Sequence, residues 1–118
     1  MDKNTEKGLE FFKKADYDNA INHFQKSIEL NGGDFYTYNN MATSYYLKED
    51  YEKAIEFYIK AIKLSPKAPD VYMNLANAYK ATGDLALALD TLEAGKFSAL
   101  KAIHKYLFDE IYDFAGKV

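Results

Sequence analysis

The sequence predicts an all-α chain, a right-handed α-solenoid of three helix-turn-helix repeats closed by a C-terminal capping helix. Three observations predict it. The chain matches itself at an offset of 34 residues, with Ala20, Ala54 and Ala88 as the strongest coincidences, and periods of this size mark stacked supersecondary units. Apolar residues recur at spacings of three and four, the rhythm of a buried helix face and not of a strand. Breaks fall at Asn31-Gly32-Gly33-Asp34, Leu64-Ser65-Pro66 and Gly83-Asp84, all of them helix punctuation.

The elements follow in order. The first repeat opens with a run that carries Gly8 and Phe11 and continues with ADYDNAINHFQKSI from Ala15. In the second, Tyr38, Met41, Ala42 and Tyr45 make one helical face, and Ala54, Ile55, Tyr58, Ala61 and Ile62 make another within EDYEKAIEFYIKAI from Glu49. The third repeats the pattern with Ala76 and Tyr79, then GDLALALDTLEAGK from Gly83. Gly8, Ala42 and Ala76 are small where paired helices must approach closely, and Phe11, Tyr45 and Tyr79 wedge between them. Pro69 suits a first helical turn, where its missing N–H would be unpaired anyway. Ala15 and Glu49 stand where Gly83 stands, so each must take a left-handed cap or end its helix differently. Gly95 stands where Ala61 does, inside an expected helix, at a cost of roughly 1 kcal/mol relative to Ala. Leu100 replaces Pro66, so a turn is expected near Lys96 to Ser98, followed by a capping helix over about 99–115; one continuous helix is the alternative. The expected organisation is a single domain over 1–118, with repeats at 1–34, 35–68 and 69–102.

Composition narrows the function. At 118 residues with 48% apolar and 28% charged, the chain is sized for one small folded domain and is too apolar for disorder. It has no Cys, hence no disulfide framework, no thiolate metal site and no thiol nucleophile. A net charge of -3 opposes a phosphate-backbone ligand, so no nucleic acid partner is expected. The opening MDKNTEKGLEFFKK mixes both charges without a long apolar run, so neither a secretion signal nor membrane insertion is expected and the reading is cytoplasmic. All 15 basic residues are Lys, which removes any bidentate guanidinium clamp.

These residues resemble the tetratricopeptide repeat family, whose 34-residue unit is a helix, a tight turn and an antiparallel helix. Tyr38, Met41, Ala42 and Tyr45 fall on the family's first-helix signature, and Ala54, Tyr58, Ala61 and Pro66 on its second. The third repeat follows with Tyr72, Leu75, Ala76, Tyr79, Gly83, Ala88 and Leu92. The first keeps Gly8, Phe11, Tyr17, Ala20, Phe24 and Ser27, but polar Asn4 and Lys7 stand where the family prefers apolar residues, so its opening turn is expected to fray. On this reading Tyr17, Phe24, Tyr38, Tyr45, Tyr51, Tyr58, Tyr72 and Tyr79 are packing wedges.

The resemblance implies a non-catalytic scaffold that binds a peptide or helix of a partner protein in a concave groove lined by the first helix of each pair. The residues placed there are Leu9, Phe12 and Lys13, then Tyr36, Asn39, Asn40, Thr43, Tyr46 and Leu47, then Met73, Asn74, Asn77 and Lys80. Asn amides can pair with both N–H and C=O of an extended backbone; the other reading is that they bridge neighbouring helices. Co-chaperone members grip a terminal carboxylate with Lys, Asn and Arg at positions that here carry Thr5, Leu9, Asn40, Asp70 and Asn74. Only Asn40 matches and Asp70 would repel a carboxylate, so no such clamp is expected. On the capping helix Leu100, Ile103, Leu107, Ile111 and Phe114 form a sealing stripe, and Tyr106, Phe108 and Tyr112 project elsewhere as a candidate contact, for a homodimer, an exchanged helix or further repeats; the alternative function is a self-assembling structural scaffold through this face.

No catalytic inventory is present. His23 and His104 have no Ser or carboxylate at a recognisable spacing, and His23 is expected as a partly exposed surface residue. No histidine pair has metal-ligand spacing, and Gly32-Gly33 follows a helix and lacks the downstream pattern of a phosphate loop, so no metal and no cofactor are expected.

Overall fold

The computed structural model describes residues 2–96, and these form six helices with no strand. They are α1 (Lys3–Lys13), α2 (Tyr17–Asn31), α3 (Phe35–Leu47), α4 (Tyr51–Leu64), α5 (Pro69–Ala81) and α6 (85–96). Each helix packs on the one before it from α1 to α5, while α1 meets α3 and α3 meets α5 side by side. That is a helical-repeat solenoid.

Helix starts are set by aspartate. Asp2, Asp16, Asp34 and Asp50 each accept the backbone N–H three residues on, at 2.9, 3.4, 2.7 and 3.4 Å. Asp84 does the same for Leu87 at 3.2 Å. Each carboxylate satisfies an orphan donor and sits at the positive end of the helix dipole. The exception is α5, which begins with Pro69 and has no side-chain cap.

The turn inside each pair is one structure used three times. Asp16, Asp50 and Asp84 donate their N–H to Phe11, Tyr45 and Tyr79 carbonyls, each at 2.9 Å. The residue before each aspartate is left-handed: Ala15 at φ 60, Glu49 at φ 68 and Gly83 at φ 85. Ala15 and Glu49 thus adopt the left-handed cap, a conformation that costs a residue with a Cβ on the order of 1 kcal/mol.

Two cores result. Ala20, Phe24 and Met41 join the first pair to the second, and Ala42, Ala54, Tyr58, Ala61, Val71, Leu75 and Ala78 join the second to the third. Phe24 is 0% and Tyr58 2% exposed, and each large ring removed from water contributes roughly 2–3 kcal/mol. Their neighbours are small for that reason. A Cβ on Gly8 would lie 2.6 Å from the Phe24 ring.

The opening turn is helical despite polar Asn4 and Lys7. The α1 helix is regular from Lys3, held by a polar triangle in place of apolar contacts. Thr5 Oγ1 lies 3.1 Å from Asp2 Oδ2 and 2.9 Å from Ser27 Oγ, and Ser27 donates to Asp2 Oδ2 at 2.7 Å. Thr5 and Ser27 are buried, so α2, through Ser27, braces the Asp2 cap of α1. Hydrogen bonds from the Thr5 N–H and then the Ser27 hydroxyl lower the Asp2 carboxyl from its ordinary 3.8 to about 2.

Gly95 is helical and buried in α6, where an added Cβ would stand 2.8 Å from Tyr72 Cβ. Its missing side chain permits a close approach between α6 and α5. The expected turn near Lys96 to Ser98, the capping helix over 99–115, and Tyr106, Phe108 and Tyr112 fall outside the described residues.

Candidate functional site

The first helices of successive pairs lie side by side, so α3 has α1 on one side and α5 on the other. Between α3 and α5 opens a cleft of about 160 Å³ lined by Thr43, Tyr46 and Leu47 of α3, Asn74 and Asn77 of α5, and Tyr58 of α4. No lining side chain is charged. Among the described residues, no side chain engages the amides of Asn74 or Asn77, so neither bridges neighbouring helices there.

The floor of the cleft is a hydrogen-bonded relay. Thr43 Oγ1 donates to the Asn39 carbonyl at 2.9 Å and lies 2.8 Å from Tyr58 Oη. A threonine hydroxyl has one hydrogen. The Asn39 carbonyl can only accept, so Thr43 spends its hydrogen there and Tyr58 donates to Thr43. Burial raises the Tyr58 phenol above its ordinary value, against the lowering effect of the Thr43 bond, and keeps it neutral. Asn39 Oδ1 is buried and has no hydrogen-bond partner among the described residues.

The other predicted groove residues on α1 and α3 do not line this cleft. Leu9 and Phe12 are half-buried against the core of Ala20, Phe24 and Met41, and Phe12 meets Tyr17 edge to face at 5.7 Å. Tyr46 makes the same contact with Tyr51 at 5.3 Å. Lys13 and Tyr36 are exposed, the latter against Phe35. The Asn40 carbonyl accepts from buried Ser44 at 2.9 Å.

Met73 and Lys80 border a different feature. A trough between α5 and α6 has one part of about 340 Å³ lined by Pro69, Tyr72, Met73, Leu92, Gly95 and Lys96. Its other part, about 360 Å³, is lined by Ala76, Asn77, Lys80, Leu85, Ala88, Leu89 and Leu92. Leu92 lines both parts, and Leu85, Leu89 and Leu92 form an exposed apolar stripe.

Two residues go beyond expectation. Tyr58 was placed as a packing wedge, and it is one, yet its hydroxyl also builds the floor of the cleft. His23 is partly exposed, as expected, yet it has a buried side. Its ring stacks on Phe11 at 5.3 Å and 8°, and its Nδ1 is buried without a hydrogen-bond partner among the described residues. Among the described residues there is no cluster of His, Cys, Asp or Glu able to hold a metal ion, and no helix long and apolar enough to cross a membrane.

Comparison with known proteins agrees with this architecture. Models described as tetratricopeptide repeat match residues 4–34 and 23–56, and one described as TPR repeat matches 42–83. Hsp70-Hsp90 organizing protein 1 of Arabidopsis thaliana is 43% identical over 44 residues, which is 37% of this chain and 8% of that protein. Among solved structures, the TPR2B-domain:pHsp70 complex of yeast Sti1 superposes with a TM-score of 0.76 at 26% identity, over 97% of this chain and 94% of that one. The TPR2AB-domain:pHSP90 complex of yeast Sti1 gives 0.77 at 27% identity, over 93% of this chain and 43% of that one.

Proposed function

Because this chain belongs to the tetratricopeptide repeat family, we propose that it is a non-catalytic protein-interaction module that holds an extended or helical segment of a partner along the face shared by α1, α3 and α5. One observation carries the reading: the cleft between α3 and α5 presents Asn74 and Asn77 with no side-chain partner among the described residues, beside the ring of Tyr46. Asn74 is half-buried and Asn77 exposed, so both amides are open to a ligand's donors and acceptors. The test is Asn74→Ala with Asn77→Ala in affinity capture followed by mass spectrometry. Capture should fall while the helical circular dichroism stays unchanged; equal capture by the double variant would move the interface elsewhere.

Two of the structural neighbours are complexes with pHsp70 and pHSP90, so a chaperone peptide is one candidate ligand. The side chains here oppose a carboxylate clamp. Thr5 is committed to Asp2 and Ser27, Leu9 packs into the apolar core, and Asp70 stands exposed in the first turn of α5. We therefore expect no micromolar binding of an acidic C-terminal chaperone peptide by titration calorimetry. Binding that Asn40→Ala abolishes would overturn this.

The trough between α5 and α6 favours a second contact. Leu89 and Leu92 are the equivalents of Ile55 and Tyr58, which pack into the core shared with the following pair. We assign the cover of the trough to residues 99–115 of the same chain, through Leu100, Ile103, Leu107, Ile111 and Phe114. A homodimer through Tyr106, Phe108 and Tyr112 is the competing arrangement, and light scattering separates them. One chain mass supports an internal cap; twice that mass, halved by Phe108→Glu, supports the dimer.

A further inference from the structure

We infer that the cleft between α3 and α5 selects a primary carboxamide, the side chain of a Gln or Asn in the partner segment. This rests on the groove reading and gives it a chemical specificity. At about 160 Å³ the cleft lies below the roughly 300–1,000 Å³ of small-molecule sites, and it has the size of a seat for one side chain.

The donors and acceptors decide which side chain. With its hydrogen given to Thr43, the Tyr58 oxygen is left as an acceptor only, and Thr43 has given its own hydrogen to the Asn39 carbonyl. Asn74 and Asn77 each bring both a donor and an acceptor. A carboxylate has only acceptors and would face the Tyr58 oxygen with no cation in the lining. An ammonium has donors but no carboxylate to pair with, and its desolvation would be uncompensated. An aliphatic group would leave the Tyr58 oxygen and both amides unpaired, which is how polar sites reject apolar ligands. A peptide unit of the partner backbone carries an N–H and a C=O that point in opposite directions across a trans bond, so it cannot direct both into one cleft. A carboxamide presents both at one end, the NH2 to Tyr58 Oη and the carbonyl to an Asn NH2.

The experiment is an NMR titration of the full chain with N-acetylglutamine N-methylamide and with the corresponding Glu, Met and Lys derivatives. The Gln derivative should shift the amides of Thr43, Tyr46, Asn74 and Asn77 and bind roughly fivefold more tightly than the others, the size of one net neutral hydrogen bond. Tyr58→Phe keeps the buried ring and should abolish that preference without changing the circular dichroism. Equal or tighter binding of the Glu or Met derivative, a preference that survives Tyr58→Phe, or no shift of the cleft residues with any derivative would each overturn the inference. If Asn74→Ala with Asn77→Ala still abolishes partner capture in those cases, the groove reading stands and only the carboxamide specificity falls. If capture is also unaffected, both fall.

Discussion

Tyr58 in α4 and Leu92 in α6 hold the same place in their repeats, yet Tyr58 is 2% exposed and Leu92 42%. The alanines one turn earlier do not differ in this way: Ala54 is 0% and Ala88 6% exposed. Ala54 and Ala88 face the helix within their own pair, a contact that two helices make without help. Tyr58 reaches Thr43 of its own pair and is also packed with Val71, Leu75 and Ala78 of α5, whereas Leu92 borders the trough beside α5. Burial in a helical array therefore has two sources. One belongs to the repeat and the other to its neighbour, and the second pair has both.

The largest expected effect strikes the neighbour-supplied core. Tyr58→Ala should cost about 3–5 kcal/mol in chemical denaturation, as other core aromatic truncations do. Leu92→Ala should cost about 2 kcal/mol if residues 99–115 cover the trough. A loss of only about 0.5 kcal/mol, the range of surface substitutions, would instead mean that this face is open.

Next comes contact within a pair. Gly8→Ala should destabilise by about 1–3 kcal/mol, because the new Cβ meets the fully buried Phe24 ring at 2.6 Å. An exposed helical Gly→Ala change has the opposite sign, so stabilisation would show that the Phe24 ring can give way.

The turns should show a smaller effect. Glu49→Gly relieves a left-handed residue at φ 68 and should stabilise by up to about 1 kcal/mol, while Gly83→Ala at φ 85 should destabilise by a similar amount. Equal signs for the two would break the equivalence of the turns.

The Asp2 cap should read out in pH. Its folded value, about 2, lies below the ordinary 3.8, so its contribution is present above 3.8 and is lost as pH falls through about 2. The difference in denaturation midpoint between the parent and Asp2→Asn should be constant above 3.8 and shrink as pH approaches 2. A difference that does not move with pH would show that the cap owes nothing to the charge.

Much of the fold was legible because it is local and periodic. The equivalence of Asp16, Asp50 and Asp84 is visible at the offset of 34, and the choice facing Ala15 and Glu49 followed from Gly83 alone. The site was less legible. Asn74, Asn77, Thr43 and Tyr46 were named from the free face of their helices, but Tyr58 was assigned wholly to packing. Its ring satisfies the repeat pattern, and nothing in that pattern reveals where the hydroxyl ends. The Asp2 and Ser27 contact joins residues 25 apart in the chain and leaves no periodic trace.

The amino-acid sequence by itself determined that the chain is a stack of helix pairs, where each pair turns and which face of each helix is apolar, because helix spacing and capping are settled within a few residues. Only the tertiary structure decided which faces are covered, that Gly8 and Gly95 yield to Phe24 and Tyr72, and that Tyr58 closes a neutral cleft against Thr43. These outcomes depend on atoms brought together from different helices, whose separation is set by packing and not by chain order.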